Sequence, residues 1–220
     1  GSVNYYMQQG QRGQFMARFL SPDVARMVSD RGLRQAMQEN QLEITVVCCD
    51  LRGFTPFAAA APSRQVLQVL RAYYDAVGEV VGEFGGTIKD YAGDGILVLV
   101  GAPIALPDHA ARGLNMARRI RIRCKELAAD WHGQGITLGI GLGVASGTVT
   151  VGVIGSAALE YTAVGAAVNL ASRLCEQAAD GEILIDTRTR VLAPEAVLEL
   201  RAPLMVKGFA EPVAHFAACA

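Results

Sequence analysis

The sequence has no C-x-x-C pair, no long apolar run and almost no net charge. Its five cysteines, Cys48, Cys49, Cys124, Cys175 and Cys219, are odd in number and scattered. That pattern excludes a disulfide framework and argues against a zinc site. It fits reduced core cysteine, so a cytoplasmic setting is expected for this domain. Adjacent Cys48 and Cys49 should point to opposite faces of a strand. No stretch approaches the roughly 20 apolar residues that a membrane span needs. The longest, "ILVLVGAPIALP", is short and broken by Gly and Pro. No signal peptide is visible. A formal net charge of -1 supplies no field to draw nucleic acid or an anionic membrane, so no nucleic-acid partner is expected.

What is present is a chain of 220 residues, 51% of them hydrophobic and 19% charged, enough to bury a large core around a catalytic domain. The opening Gly1-Ser2 reads as a cloning remnant. A fragment is therefore expected, with an upstream sensor module, and any membrane attachment, outside it. Residues 3 to about 39 carry no strand-like alternation. They read as helix, a turn at Ser21-Pro22, and helix again, with Ser21 as N-cap and Pro22 at the first helical position. Residues 1–40 are expected to form a helical signalling or transducer segment, and residues 41–220 the catalytic domain. A plain terminal helix packed on that domain is the alternative.

From Leu42 the pattern changes. "LEITVVCCD" is a buried strand ending in an acid. "SRQVLQVLRAYYDAVGEVVGEFG" has helical apolar spacing and stops at Gly85-Gly86. "GTIKDY" and "GILVLVG" form a hairpin about Ala92-Gly93-Asp94-Gly95. "PDHAARGLNMARRIRIRCKELAADW" is a helix. "ITLGIGLGVASG" and "TVTVGVIG" read as two strands separated near Ser146-Gly147. "GAAVNLASRLCEQA" is a helix, "EILID" a strand followed by a short helix, and a strand-rich end completes the chain. This order predicts an α+β sandwich, a mixed sheet with helices against it.

Two acids carry the chemistry. Asp50 ends the first strand, and Asp94 sits at the hairpin tip. If that strand lies beside the hairpin, the carboxylates can meet. Two carboxylates at strand ends hold a hard divalent cation, or two if a polyphosphate supplies further oxygens. The backbone N–H groups of Gly53, Phe54 and Thr55, at a turn before a helix, could cradle phosphate oxygens. Singly, each acid reads as ordinary turn chemistry. Together, the metal reading is favoured.

"VVCCDLRGFT", "GTIKDYAGDGILV", "YTAVGAAVNLASRL" and "PLMVKGFAEPV" resemble the successive motifs of the class III nucleotidyl cyclase catalytic domain, bacterial type. They stand in that family's order and cover roughly residues 42 to 217. The resemblance implies a ferredoxin-like α/β domain with a mixed, mostly antiparallel sheet. It implies a head-to-tail homodimer with its sites at the interface, and two Mg²⁺ or Mn²⁺ ions. The implied reaction converts a nucleoside triphosphate to a 3′,5′-cyclic nucleotide and pyrophosphate. By the same resemblance, Asp50, Asp94 and the backbone carbonyl of Leu51 would hold the metals. Asn169 would orient the ribose, and Arg173 would stabilise charge on the α-phosphate. Lys207 would bind the terminal phosphates. One subunit would supply the metal ligands and phosphate loop, the other the base pocket, Asn169, Arg173 and Lys207.

The family's base-reading positions fall on Asp90 and Thr162. Typical adenylyl cyclases have Lys at the first and guanylyl cyclases Glu. Lys89 is one position off, and regular alternation would turn it away while Asp90 faces the pocket. A carboxylate only accepts hydrogen bonds. It could take the adenine N6 amino group, or N1–H and N2–H₂ of guanine. Thr162 is ordinary for bacterial adenylyl cyclases. The reading tilts to ATP and cAMP, with GTP and cGMP as the alternative. Two rival classes remain: a cyclase-like domain that dimerises and senses nucleotide without turnover, and a diguanylate cyclase or polymerase-like palm. Neither rival needs the whole set of Asp50, Asp94, Asn169, Arg173 and Lys207.

Overall fold

The computed structural model describes residues 22–36, 38–155 and 160–219. The first expected helix and the Ser21 cap lie outside them. Helix α1 (Pro22–Arg31) starts at the proline, and a single turn, α2 (Leu33–Ala36), follows. Val24 of α1 is buried against the domain, so this helix packs on it.

Strand β1 (Asn40–Arg52) comes next, then the short helix α3 (Phe54–Ala60) and the long helix α4 (Ser63–Glu83). Helix α4 buries Val69, Tyr73, Val77 and Val80 along one stripe, spacings of four, four and three residues. The hairpin of β2 (Thr87–Ala92) and β3 (Gly95–Val100) leads to helix α5 (His109–Gly133). Strands β4 (Gly139–Ile154) and β5 (Glu160–Val164) precede helix α6 (Ala166–Gln177). Strand β6 (Ile183–Asp186), helix α7 (Thr187–Leu192), β7 (Leu198–Leu200) and β8 (His215–Ala218) close the fold.

The strands form one sheet in the order β2-β3-β1-β4-β6-β8-β7, with β5 pairing the far half of β4. All pairings among these strands are antiparallel except β4 with β6. Helices cover both faces. Val47, Cys49 and Leu51 of β1 join the core beneath α4 and α5. Ile44, Val46 and Cys48 face the second core, beneath α1 and α6. Burial on both faces explains why β1 is an almost unbroken apolar run in an antiparallel sheet. The two adjacent cysteines do point opposite ways.

One expected break is absent. The two strands read on either side of Ser146-Gly147 are one strand, β4. Ser146 and Gly147 stay in register against Thr45 and Ile44. A turn dipeptide yields here because its polar group has buried partners. The Ser146 hydroxyl is 2.7 Å from the Thr45 hydroxyl and 2.8 Å from that of Thr189, and its N–H donates to the Asp186 carboxylate. The Thr45 hydroxyl also lies 2.7 Å from His109 Nδ1. A satisfied network of this kind holds polar groups inside a sheet at little cost.

Candidate active site

Pairing of β1 with β3, Cys49 opposite Ile96, brings the end of the first strand beside the hairpin. Gly93 has φ +62 and Asp94 a negative φ, so the two-residue turn has the glycine-first form that suits strand twist. Asp94 is thereby held at the tip. Its carboxyl stands close to the Asp50 carboxyl. Burial, and then the Asp94 carboxyl beside it, push the Asp50 carboxyl up to about 7. Arg52, 3.9 Å away, and the Leu51 N–H act in the opposite direction. Two carboxylates crowded this way repel each other when both are charged, and a divalent cation between them relieves that repulsion. The donor set, two carboxylates and the nearby Leu51 carbonyl on β1, therefore fits a hard metal ion. Among the described residues no group of three or more His, Cys, Asp and Glu clusters as a metal site. Further oxygens would come from substrate or water.

Gly53 has φ +80, and a Cβ there would stand 3.3 Å from the Thr137 carbonyl oxygen. The chain turns sharply there from β1 into α3, so the opening N–H groups of α3, those of Phe54 and Thr55, lack helical acceptors.

Helix α6 buries Ala167, Leu170, Ala171, Leu174 and Cys175, a full helical stripe. Asn169 and Arg173, four apart, share the opposite, more open side. Arg173 is held by Glu176 at 2.9 Å. Lys207 is exposed beside Gly208, in a turn closed by Phe209 N–H donating to the Val206 carbonyl.

The base-position strand departs from regular alternation. Register slips between Ile88, opposite Val98, and Asp90, opposite Leu97, so Lys89 is an extra, bulged residue. Lys89 does not simply turn outward. Its side chain is 14% exposed and lies 3.6 Å from Glu160 of β5. Asp90 is exposed. Strand β5 also carries Thr162, opposite Gly152 of β4. Regular alternation does not hold here, because a bulge resets parity.

Three supporting residues were not read from the sequence. The Tyr74 hydroxyl donates to the Gly93 carbonyl, and its ring lies 4.5 Å from that of Tyr91, which pins the hairpin tip. Arg52 reaches past Gly141 and donates to the Cys175 carbonyl, tying β1 to α6. The paired tyrosines of "AYYD" were the available signal for the first contact. Nothing local marks the second.

The adenylate and guanylate cyclase catalytic domain model matches residues 36–218. An adenylate cyclase of Mycobacterium tuberculosis is 31% identical over 176 residues, 80% of this chain and 39% of that protein. Adenylate cyclase 1 of Rhizobium meliloti is 31% identical over 134 residues, 60% of this chain and 20% of that protein. The chain thus spans well under half the length of either relative. Among solved structures, the adenylyl cyclase CyaB of P. aeruginosa superposes with TM-score 0.80 at 31% identity, covering 83% of this chain and 96% of that one. The guanylyl cyclase Cya2 gives 0.79 at 33%, covering 83% and 94%. The fold, the order of the motifs and these likenesses agree, and the chain belongs to the adenylate and guanylate cyclase catalytic domain family, the class III nucleotidyl cyclases.

Proposed function

We propose that this domain converts ATP to 3′,5′-cyclic AMP and pyrophosphate. The observation that carries the reading is the convergence of Asp50 and Asp94 at one end of the β1–β3 pair. Asp50, Asp94 and the Leu51 carbonyl would hold two divalent cations, Mg²⁺ or Mn²⁺. Such ions make a ribose hydroxyl a better nucleophile and neutralise phosphate charge. The backbone of Gly53, Phe54 and Thr55 receives the phosphates, and Lys207 binds the terminal ones. Asn169 orients the ribose so that its 3′-oxygen stands in line with the α-phosphorus. Arg173 meets charge that grows on the α-phosphate as pyrophosphate leaves. The Glu176 partner holds the guanidinium until substrate competes for it. A homodimer joins the metal side of one chain to the Asn169–Arg173 side of the other, giving two sites. Residues 1–40 serve as the transducer from an upstream sensor, and 41–220 as the catalytic domain.

Relatives and neighbours bear both adenylyl and guanylyl names, so base choice rests on this chain's own residues. The bulge favours adenine. It keeps the Lys89 ammonium beside β5, where it can donate to the acceptor nitrogen N1 of adenine, whereas guanine presents a donor there. Asp90 or a water it holds accepts from N6, and Thr162 lines the same pocket. The exposed Asp90 carboxylate supports the second reading, GTP to cyclic GMP.

The test is a product assay with ATP, GTP, CTP and UTP in parallel, with Mn²⁺ or Mg²⁺. Cyclic AMP with released pyrophosphate is expected. Faster cyclic GMP formation overturns the base assignment. No cyclic product with any triphosphate overturns the enzyme in favour of a nucleotide-sensing dimer.

A further inference from the structure

Cys48 and Cys175 face each other across the β1–α6 contact. Cys48 pairs in register with Gly143 of β4, and no side chain shields that spot. Helix α6 rides directly on it. A Cβ at Gly143 would stand 3.0 Å from the Cys175 Cα, and closer still to the Cys175 nitrogen and the Ala171 carbonyl oxygen. Seated over Gly143, Cys175 is thereby brought next to Cys48. Cys175 lies 3.4 Å from the Gly141 carbonyl oxygen, and Arg52 Nη2 is 3.9 Å from its sulfur. Cys175 is buried, whereas Cys48 is partly open to solvent. The remaining cysteines are poor partners. Cys49 turns to the opposite face, Cys124 lies in that same core, and Cys219 is at the far end of the chain.

We propose that Cys48 and Cys175 are a redox modification site, joined by a peroxide into a disulfide that slows the cyclase. Cys48 is the sulfur a small oxidant reaches. It attacks the peroxide, an O–O bond breaks, and Cys48 becomes a sulfenic acid as one water leaves. The Cys175 sulfur then attacks that sulfur. An S–S bond forms, the S–O bond breaks, and a second water leaves. Two thiols have lost two electrons and two protons, and one peroxide has become two waters.

The consequence for activity rests on the function proposed above. A disulfide requires about 2.05 Å between sulfurs, closer than two thiols in van der Waals contact, so the two side chains, and the strand and helix that carry them, must shift toward each other. Asp50 is two residues beyond Cys48, and Arg173 two before Cys175. Displacing a catalytic group by about 1 Å can cost roughly 10²-fold in rate.

The experiment treats the protein with hydrogen peroxide, alkylates the remaining thiols and maps peptides without reduction. A linked Cys48–Cys175 peptide is expected, with a rate about 10- to 100-fold lower. Dithiothreitol should restore both thiols and rate. Cys48→Ser and Cys175→Ser should each keep their own starting rate under the same peroxide. The map on the unmutated protein needs no variant to fold. Both thiols remaining free while Cys219 oxidises overturns the proposal, as does a link between other cysteines. A correct link with unchanged rate overturns the regulation and leaves the proposed function standing. If the untreated protein makes no cyclic nucleotide, that function fails, and the thiol map still decides the pairing.

Discussion

At the residue scale, the Asp50–Asp94 pair is the centre of the proposed site. Neither acid is needed for the fold: Asp50 is partly open, and Asp94 sits in a turn whose conformation belongs to Gly93. Asp50→Ala and Asp94→Ala should each retain the wild-type circular dichroism spectrum and turn over at below about 1% of wild type. A substantial rate at saturating Mn²⁺ would refute the metal assignment. In the proposed mechanism Arg173 acts on charge present mainly in the transition state. Arg173→Ala should lower kcat by on the order of 10²-fold with KM changed far less. A steady-state titration separates that from an effect on KM alone. For base choice, the bulge changes the expectation that alternation alone gives. Alternation makes Lys89→Ala silent. With Lys89 turned toward β5, Lys89→Ala should narrow the ATP-over-GTP preference by roughly 10-fold, about the worth of one unpaired polar group. Asp90→Lys should widen it. The ratio of kcat/KM for ATP and GTP reads both.

At the element scale, the contact between β4 and α6 decides where Asn169 and Arg173 stand. Gly143 is the glycine that permits it. Its conformation is ordinary, so the requirement is for space and not for φ. Gly143→Ala would drive a methyl into the α6 backbone and should cost about 1–3 kcal/mol. The contrast is Gly78→Ala in α4, where a Cβ meets nothing within 4 Å. That substitution should stabilise by about 0.5–1 kcal/mol through helix propensity. Thermal melts of the two variants should move in opposite directions. Equal shifts would mean that α6 does not sit on Gly143.

At the scale of the whole molecule, the proposed site is divided between two copies. Asp50 and Asp94 belong to the hairpin side of the chain, and Asn169 and Arg173 to α6. Mixing inactive Asp94→Ala with inactive Arg173→Ala should therefore restore activity, because one of the two sites in a mixed dimer carries neither lesion. Subunit exchange, followed independently with differently tagged chains, gives the expected fraction of mixed dimers. Exchange without recovered activity would refute a shared site. Among the described residues no helix is long and apolar enough to cross a membrane.

Among the described residues, the α+β class, the motif positions and the element order apart from the join at Ser146-Gly147 are legible in the sequence. Each of these is a local property: apolar spacing, a glycine turn, an acid at a strand end. Helix α4, the hairpin and α6 stand where periodicity and turn chemistry put them. The sequence also determined that Cys48 and Cys49 part company, since a strand alternates. Tertiary structure alone decided three things. Ser146-Gly147 continues a strand because partners from Thr45, Thr189 and Asp186 arrive from elsewhere in the chain. Lys89 turns toward β5 because β2 is one residue longer than its partner over that span, a mismatch that appears only on pairing. The Asp50 carboxyl is pushed up to about 7 because β1 and the hairpin tip, 44 residues apart in sequence, close on one point. Such long-range convergence is a consequence of pairing and burial, which no local pattern encodes.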